Sequence, residues 1–412
     1  MQKGGGDLVQ SYAGNIYNKL SPEFRLLLLC SNLKSKDKDQ DTIDKLIESG
    51  INWPVFTHLV LHHRVYSLVY RYLRTLAHPS IPNEVVVAMH QLNQNNCHKT
   101  LQMITEFVRI LQALEEKGIH VIVIKGFPLA QQLYGDITLR SSRDLDLLVH
   151  REDLWTARKV IEEYGYIWKN PLSVSKSIPL KKWMDWEKHL EYCHPQLEVC
   201  VELHWRLDCQ EMNIPFSLID NSIISTRMFG RSINMLGHEE MLLYLAIHGS
   251  AHKWLRIKWL LDINLIVRKR KYSWEKIYLL SDNLGVRTVF NQTLILLQVL
   301  LETPLPKTIT DLIEKDAKAK KIAMIALKYI VDNGLETNKS LNEKAIRLYQ
   351  QKTYEFNMNS KWQRQLSYLS KRFIPSLKDV ELISLSKRLY FIYYIISPFN
   401  WFYRKILNVM KI

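Results

Sequence analysis

Residues 121–149, VIVIKGFPLAQQLYGDITLRSSRDLDLLV, decide how the rest of the chain is read. Four β-branched residues, Val121 to Ile124, predict a short buried strand. Lys125 and Gly126 follow at once, and Pro128 opens a helical pattern through Leu129, Gln132 and Leu133. Proline suits a first helical turn because its missing N–H would be unpaired there in any case. A strand, a glycine turn and a helix N-terminus together aim free backbone N–H groups at an anion. A loop carrying Gly135, Asp136, Ser141 and Ser142 then leads to a second strand over residues 143–149. Side chains alternate along a strand, so Leu145 and Leu147 point into a core while Asp144 and Asp146 project together from the other face. Two neighbouring carboxylates repel, and a divalent cation between them relieves the repulsion. Hard oxygen ligands of this kind suit Mg²⁺ with a bound triphosphate.

A third carboxylate is expected from residues 197–205, LEVCVELHW. Leu197, Val199, Val201 and Leu203 form the apolar face, and Glu198, Cys200, Glu202 and His204 the other. Glu202 thus projects as Asp144 and Asp146 do. Three carboxylates on neighbouring strands can hold two metal ions about 4 Å apart, the clamp used for in-line phosphoryl displacement.

The run KG-x-x-L-A-x-x-L-Y from Lys125, the R-x-x-x-D-x-D-x-L-V pattern from Arg140 and the VELHW strand from Val201 resemble the bacterial uncharacterised nucleotidyltransferase family, part of the DNA polymerase β-type superfamily. The resemblance spans residues 21–270 and includes NWPVF (52–56), HHRV (62–65), HGSAHKW (248–254) and KWLLD (258–262). It implies an α/β (α+β) core with a small mixed sheet, flanked by helical regions. It also implies Asp144, Asp146 and Glu202 as ligands of two Mg²⁺ ions, Mn²⁺ being the alternative. Relatives lie among genes for peptide natural products or cell-surface polysaccharides, so the implied acceptor is a peptide, a small molecule or a surface-polymer precursor. One departure stands out: the superfamily has Gly or Ser after the glycine of its phosphate loop, whereas here Phe127 follows Gly126.

The chain is long enough for several domains and has a formal charge of +15, which favours polyanionic partners. Ten Lys or Arg against two acids fall in residues 361–412. Five cysteines without a C-x-x-C pair, and a polar start without an apolar leader, predict reduced thiols in a cytoplasmic protein. The spacing of Cys193, Cys200 and Cys209 does not match a zinc knuckle. No apolar run approaches the ~18 residues of a membrane span, and residues 294–301 read as core helix.

The expected organisation is a flexible segment at 1–20, a helical region at 21–117, the catalytic core at 118–235, a helical domain at 236–345 and a basic, aromatic region at 346–412. Gly118 caps a helix whose Ile104, Phe107, Ile110, Leu111 and Leu114 share a buried face. In the core, residues 152–164 form a helix, 169–182 a basic loop over the site, and 186–206 a hairpin turning at His194, Pro195 and Gln196. Trp53, His63 and Arg64 either face the site or pack in the core. The C-terminal region either covers the core or lies on an anionic membrane as an interfacial helix interrupted at Pro398.

The resulting expectation is an enzyme moving a nucleoside monophosphate from an NTP to a hydroxyl or phosphate. Lys125, Gly126 and Arg140 or Arg143 hold the triphosphate, and Lys253 and Lys258 with Trp254 and Trp259 form a further nucleotide-binding cluster. His204, His248 and His252 face the acceptor, and Glu202 doubles as base. His248 and His252 stand one helical turn apart, but Gly249 takes the place of the glutamate of zinc motifs of this kind. Asp262 bonds a histidine or anchors Lys258. Two rivals remain: a sugar or phosphosugar transferase on the same scaffold, and a non-catalytic protein binding a partner or membrane. No dedicated nucleic-acid-binding motif is present.

Overall fold

The computed structural model describes residues 17, 19–33, 40–76, 78–169, 184–185, 187–209, 212–269, 271–332, 341–358, 379, 382–383 and 385–410. Most of the expected flexible start, all but Lys169 of the basic loop, and much of the basic tail lie outside them.

Among the described residues, five helices precede the sheet: α1 (Pro22–Ser31), α2 (Gln40–Glu48), α3 (Trp53–His63), α4 (Tyr66–Leu76) and the long α5 (Asn83–Glu116). Ser21 and Asn52 cap α1 and α3 by accepting backbone N–H groups from three residues on, and each helix has proline in its first turn. Phe107, Ile110, Leu111 and Leu114 of α5 are buried, and Gly118 ends the run at φ 71°, as the periodicity predicts. This face of α5 packs against the sheet and against α7 (Leu154–Glu163).

The sheet has seven strands, in the order β3 (Ile167–Trp168), β4 (His189–Cys193), β5 (Cys200–His204), β2 (Asp144–Leu148), β1 (Ile122–Val123), β9 (Arg231–Met235), β8 (Ile224–Met228). Its centre is β1, β2 and β5. β2 runs antiparallel to β1 and parallel to β5, and β4 closes an antiparallel hairpin on β5. The sheet is mixed, as expected. Three of its strands were not anticipated: β3, β8 and β9. β9 lies parallel to β1 and pairs with β8 through Phe229 and Gly230, both at positive φ. A short hairpin, β6 (Leu207–Cys209) and β7 (Met212–Ile214), and a helical turn, α8 (Phe216–Asp220), complete this part.

Beyond it, helices α9 (His238–Ala251), α10 (Ile257–Lys269), α11 (Trp274–Asn283) and α12 (Arg287–Leu301) form the second helical body, followed by α13 (Lys307–Lys315), α14 (Ala317–Asp332) and α15 (Leu341–Met358). α10 reaches back onto α6 (Phe127–Tyr134), the helix after the glycine turn. Residues 294–301 sit in buried α12, and no helix among the described residues is long and apolar enough to cross a membrane. The helix α16 (Ile392–Met410) carries Pro398 inside it rather than ending there, which corrects the expected interruption. One side of α16 is docked, Ser397 and Arg404 bonding Asp379 at 2.9 and 2.6 Å, while Phe391, Ile395, Phe399 and Phe402 are exposed.

The cysteines also need correction. Cys193 and Cys200 form a disulfide across β4 and β5, with Cα atoms 4.1 Å apart, because the hairpin register sets them opposite each other. Reduced thiols were expected at both positions. The free thiol of Cys30 is buried, which pushes its pKa up.

Candidate active site

Strand register assembles the carboxylates. β2 and β5 run side by side with Asp146 opposite Glu202 and Asp144 opposite Cys200. The intervening Leu145, Leu147, Val201 and Leu203 are buried, so their burial turns all three acids to the other face. The acids differ in exposure: the side chain of Asp144 is 31% accessible, that of Glu202 22% and that of Asp146 1%.

Two cations balance them. Lys125 Nζ lies 2.8 Å from Asp146 Oδ1 and 4.0 Å from Asp144. His204 Nε2 lies 3.1 Å from Glu202 Oε2 and 3.4 Å from Asp146. Burial disfavours charge on both cations, but Asp146 and its neighbours outweigh it and raise both pKa values. For Glu202, burial pushes the pKa up and the bond from His204 outweighs that, holding it well below the usual carboxylate range. Glu202 is thus a good ligand and a poor base. His189, opposite His204 in the register, is driven down to about 4 by burial and by His204, so its imidazole is neutral at pH 7.

These residues fit a divalent cation. The buried Asp146 carboxylate has no aligned hydrogen bond on either oxygen; Lys125 and His204 both stand within ion-pair distance of Oδ1, and a buried carboxylate oxygen without a donor or a metal is costly. With Asp144 and Glu202 it makes an oxygen set suited to Mg²⁺ or Mn²⁺. A second set shares Glu202: His189, Glu202 and His204 offer ligand atoms within 4.8 Å of one another, a nitrogen-rich combination that suits Zn²⁺ or Mn²⁺ better than Mg²⁺.

Gly126 adopts φ 87° and ψ −146°, a backbone region essentially restricted to glycine, and is the N-cap of α6. Phe127 is buried, with its ring edge-on to Phe107 at 4.8 Å. The residue that departs from the superfamily pattern therefore points into the core and not into the phosphate loop.

The loop between α6 and β2 is braced from beneath. Arg140 is buried, and its Nε donates to Asp262 at 2.9 Å; Tyr134 donates to the other oxygen at 2.9 Å. Buried Lys258 donates to the Ser141 carbonyl at 2.9 Å, and Asn96 of α5 donates to the Thr138 carbonyl at 2.7 Å. Burial, then the Arg140 and Arg64 charges, push Lys258 well below an ordinary lysine. Arg140 and Lys258 therefore shape the loop from inside, where a phosphate contact was expected of them, and Asp262 pairs with Arg140 rather than with a histidine or Lys258. Lys253 faces the helical body, with Glu355 at 3.7 Å and the Tyr329 ring at 5.8 Å.

The other expected residues line the walls. His248 on α9 and His252, the residue that caps its C-terminus, have ring centroids 4.8 Å apart, and Trp259 stands 5.3 and 5.4 Å from them. Burial, followed by the charges of Lys125 and Lys188, keeps both imidazoles neutral, with His252 near 4. A side chain at position 249 would strike Trp254, with an added Cβ 2.2 Å from the ring, so a zinc-motif glutamate has no room there. Trp254 itself is fully buried, a core residue rather than a base-stacking one.

On the opposite side, a cavity of about 470 Å³ opens between α3, α5 and the loop. Arg143 lines it, together with Arg64, Lys99 and Arg256. Arg64 was one of three candidates in its region; of the others, His63 is buried and Trp53 packs edge-on against Phe56. Lys99, Arg256 and the neutral His189 were missed. The only signals were the run HHR at 62–64 and the cation between Trp254 and Trp259.

The sequence from residue 49 to residue 302 matches the model of a family described as uncharacterised nucleotidyltransferase, more than half of the chain. The chain belongs to that family. The nucleotidyltransferase match runs from just ahead of α3 to the end of α12, so it contains the carboxylates, the braced loop and both walls. No curated protein and no solved structure matches the chain.

Proposed function

We propose that this nucleotidyltransferase moves a nucleoside monophosphate from an NTP to a hydroxyl or phosphate oxygen of an acceptor in a divalent-cation-dependent reaction. In that reaction the acceptor oxygen bonds to the α-phosphorus, the bond from it to the bridging oxygen of the β-phosphate breaks, and pyrophosphate leaves. The observation that carries the reading is the pairing of Asp146 with Glu202 across parallel strands, two residues from Asp144, with a buried carboxylate that lacks aligned hydrogen bonds.

Asp144, Asp146 and Glu202 would hold the metal, which when bound neutralises charge on the phosphates and acidifies the acceptor hydroxyl. His204, 3.1 Å from Glu202 and 3.4 Å from Asp146, would fix the rotamers of both. Lys125 balances the excess of negative charge on the carboxylates and lies at the glycine turn, within reach of a phosphate. The low basicity of Glu202 directs the acceptor proton away from it, towards solvent or the neutral imidazoles of His189, His248 and His252. Trp259 and these histidines form the wall on which the acceptor would lie.

The test is calorimetry of each of the four NTPs with Mg²⁺, on wild type and on Asp144→Asn/Asp146→Asn. One NTP should bind, and affinity should fall at least tenfold both in the double variant and with EDTA. Equal binding by the two proteins would sink the reading. An α-labelled NTP then follows the nucleotide onto product, an outcome a sugar transferase would not give.

A further inference from the structure

The cavity beside the carboxylates has features that nucleotidyl transfer alone does not require. Its rim gathers Arg64, Arg143, Arg256 and Lys99 with two histidines, His58 and His62, and no carboxylate lines it. Among the described residues, Arg64, Arg143 and Lys99 make no ion pair within 4 Å. Arg256 donates only to the His62 carbonyl. Unpaired cations in such proximity repel: burial first, then Arg143 and Arg256, lower Arg64 to about 10. An anion bound among them would relieve the repulsion.

Backbone geometry points the same way. Arg64 ends α3 in the left-handed conformation, φ 57° and ψ 45°, a position glycine normally takes. An arginine there carries a conformational cost, which is usual where a side chain must be placed for binding. Neutral donors complete the lining, among them Ser142, Asn95 and Tyr66. The volume lies within the ~300–1,000 Å³ common for small-molecule sites. Ser142 and Arg143 directly precede Asp144, so the cavity and the carboxylates share one edge.

We propose that this cavity is a polyphosphate subsite, built to hold two or more linked phosphates through the forked guanidiniums of Arg64, Arg143 and Arg256. Arginine suits the task because its planar fork meets phosphate oxygens two at a time. The phosphates are either the β- and γ-groups of the donor, held here as they become the leaving pyrophosphate, or phosphates already carried by the acceptor. The inference deepens the nucleotidyl-transfer reading and rests on it only for the identity of the ligand.

The probe is inorganic pyrophosphate, titrated calorimetrically into the full chain in EDTA so that the metal site plays no part. Wild type should bind it, and Arg64→Gln/Arg143→Gln should bind at least tenfold more weakly, with a shallower dependence on salt. No binding by wild type, or equal binding by the variant, would overturn the subsite. Should the double variant fail to fold, Lys99→Gln and Arg143→Gln singly should each weaken binding severalfold; unchanged affinity in both would likewise overturn it. Asp144→Asn should keep or strengthen pyrophosphate binding. If the cavity variants lose pyrophosphate while Asp144→Asn/Asp146→Asn leaves metal-dependent NTP binding intact, the subsite stands and the nucleotidyl-transfer reading falls. Competition assigns the source: an NTP that displaces pyrophosphate identifies the donor's tail, and joint binding of the two identifies a phosphorylated acceptor.

Discussion

On the inner side of the loop before β2, Arg140 and Lys258 are buried, and each is held by an acceptor, Asp262 for one and the Ser141 carbonyl for the other. On the outer side, Arg64, Arg143 and Lys99 stand round an open cavity with no carboxylate among its lining. Arg140 and Arg143 are three residues apart in the chain and look equally suited to phosphate. The difference shows that the partner, not the residue type, separates a brace from a ligand. A buried cation must be paired because desolvation is expensive, whereas a half-exposed cation is stabilised by water until an anion displaces it.

The sharpest way to break this comparison is to remove the inner acceptor. Asp262→Ala leaves the Arg140 guanidinium and the Tyr134 hydroxyl buried without their partner, and should cost about 3–5 kcal/mol in urea denaturation. Arg140→Met/Asp262→Leu, which removes both charges, should recover most of that loss. A single variant as stable as wild type would mean that the pair does not brace the loop.

A smaller effect is expected at Lys258. Methionine keeps its apolar stem and removes the bond to the Ser141 carbonyl, so Lys258→Met should lose about 1–3 kcal/mol through the carbonyl left unpaired. Substitutions on the outer side should behave in the opposite way. Arg143→Gln should change stability by no more than about 0.5 kcal/mol, or raise it by relieving repulsion. If Arg143→Gln destabilised the fold as much as Lys258→Met, the contrast between the two sides would fail.

The contrast also explains how much was legible beforehand. Strand alternation placed Asp144, Asp146 and Glu202 on one face, because burial of Leu145, Leu147, Val201 and Leu203 leaves those acids no other direction. Proline and glycine likewise marked the turn into α6. The partners of Arg140 and Lys258 were not legible, since Asp262 lies 122 positions from Arg140 and periodicity within a segment says nothing about contacts across such a distance. Lys99 on α5, Arg64 at the end of α3 and Arg256 between α9 and α10 come from three separate segments that meet only in the folded chain. The strands β8 and β9 were missed because their sequences, ISTRM and RSINM, are mostly polar, and the outermost, β8, buries only Met228. The disulfide depended on the hairpin register, which places Cys193 opposite Cys200, and on no spacing rule.

The last and smallest effect joins the two sides through pH. His62 lines the cavity, and burial, then Arg256 and His58, lower its pKa to about 4. The pKa of its neighbour His63 is also lowered, well below the ordinary value, by burial and by His62, and its Nδ1 accepts the Ile257 N–H at 3.3 Å. Both imidazoles are therefore neutral in the folded protein at a pH where the unfolded chain, with histidine near 6.5, is already protonated. Their contribution to stability is complete above about pH 6.5 and is lost as pH falls towards 4, because the unfolded state then binds more protons. The melting temperature should fall over that window, and His62→Gln should flatten part of the fall. Pyrophosphate should flatten it in wild type as well, since an anion beside His62 favours its protonated form and raises its folded pKa. The same addition should have little effect on the profile of Arg64→Gln/Arg143→Gln. A profile that pyrophosphate leaves unchanged in wild type would place the anion elsewhere, and the outer cations would then need another reason for standing unpaired.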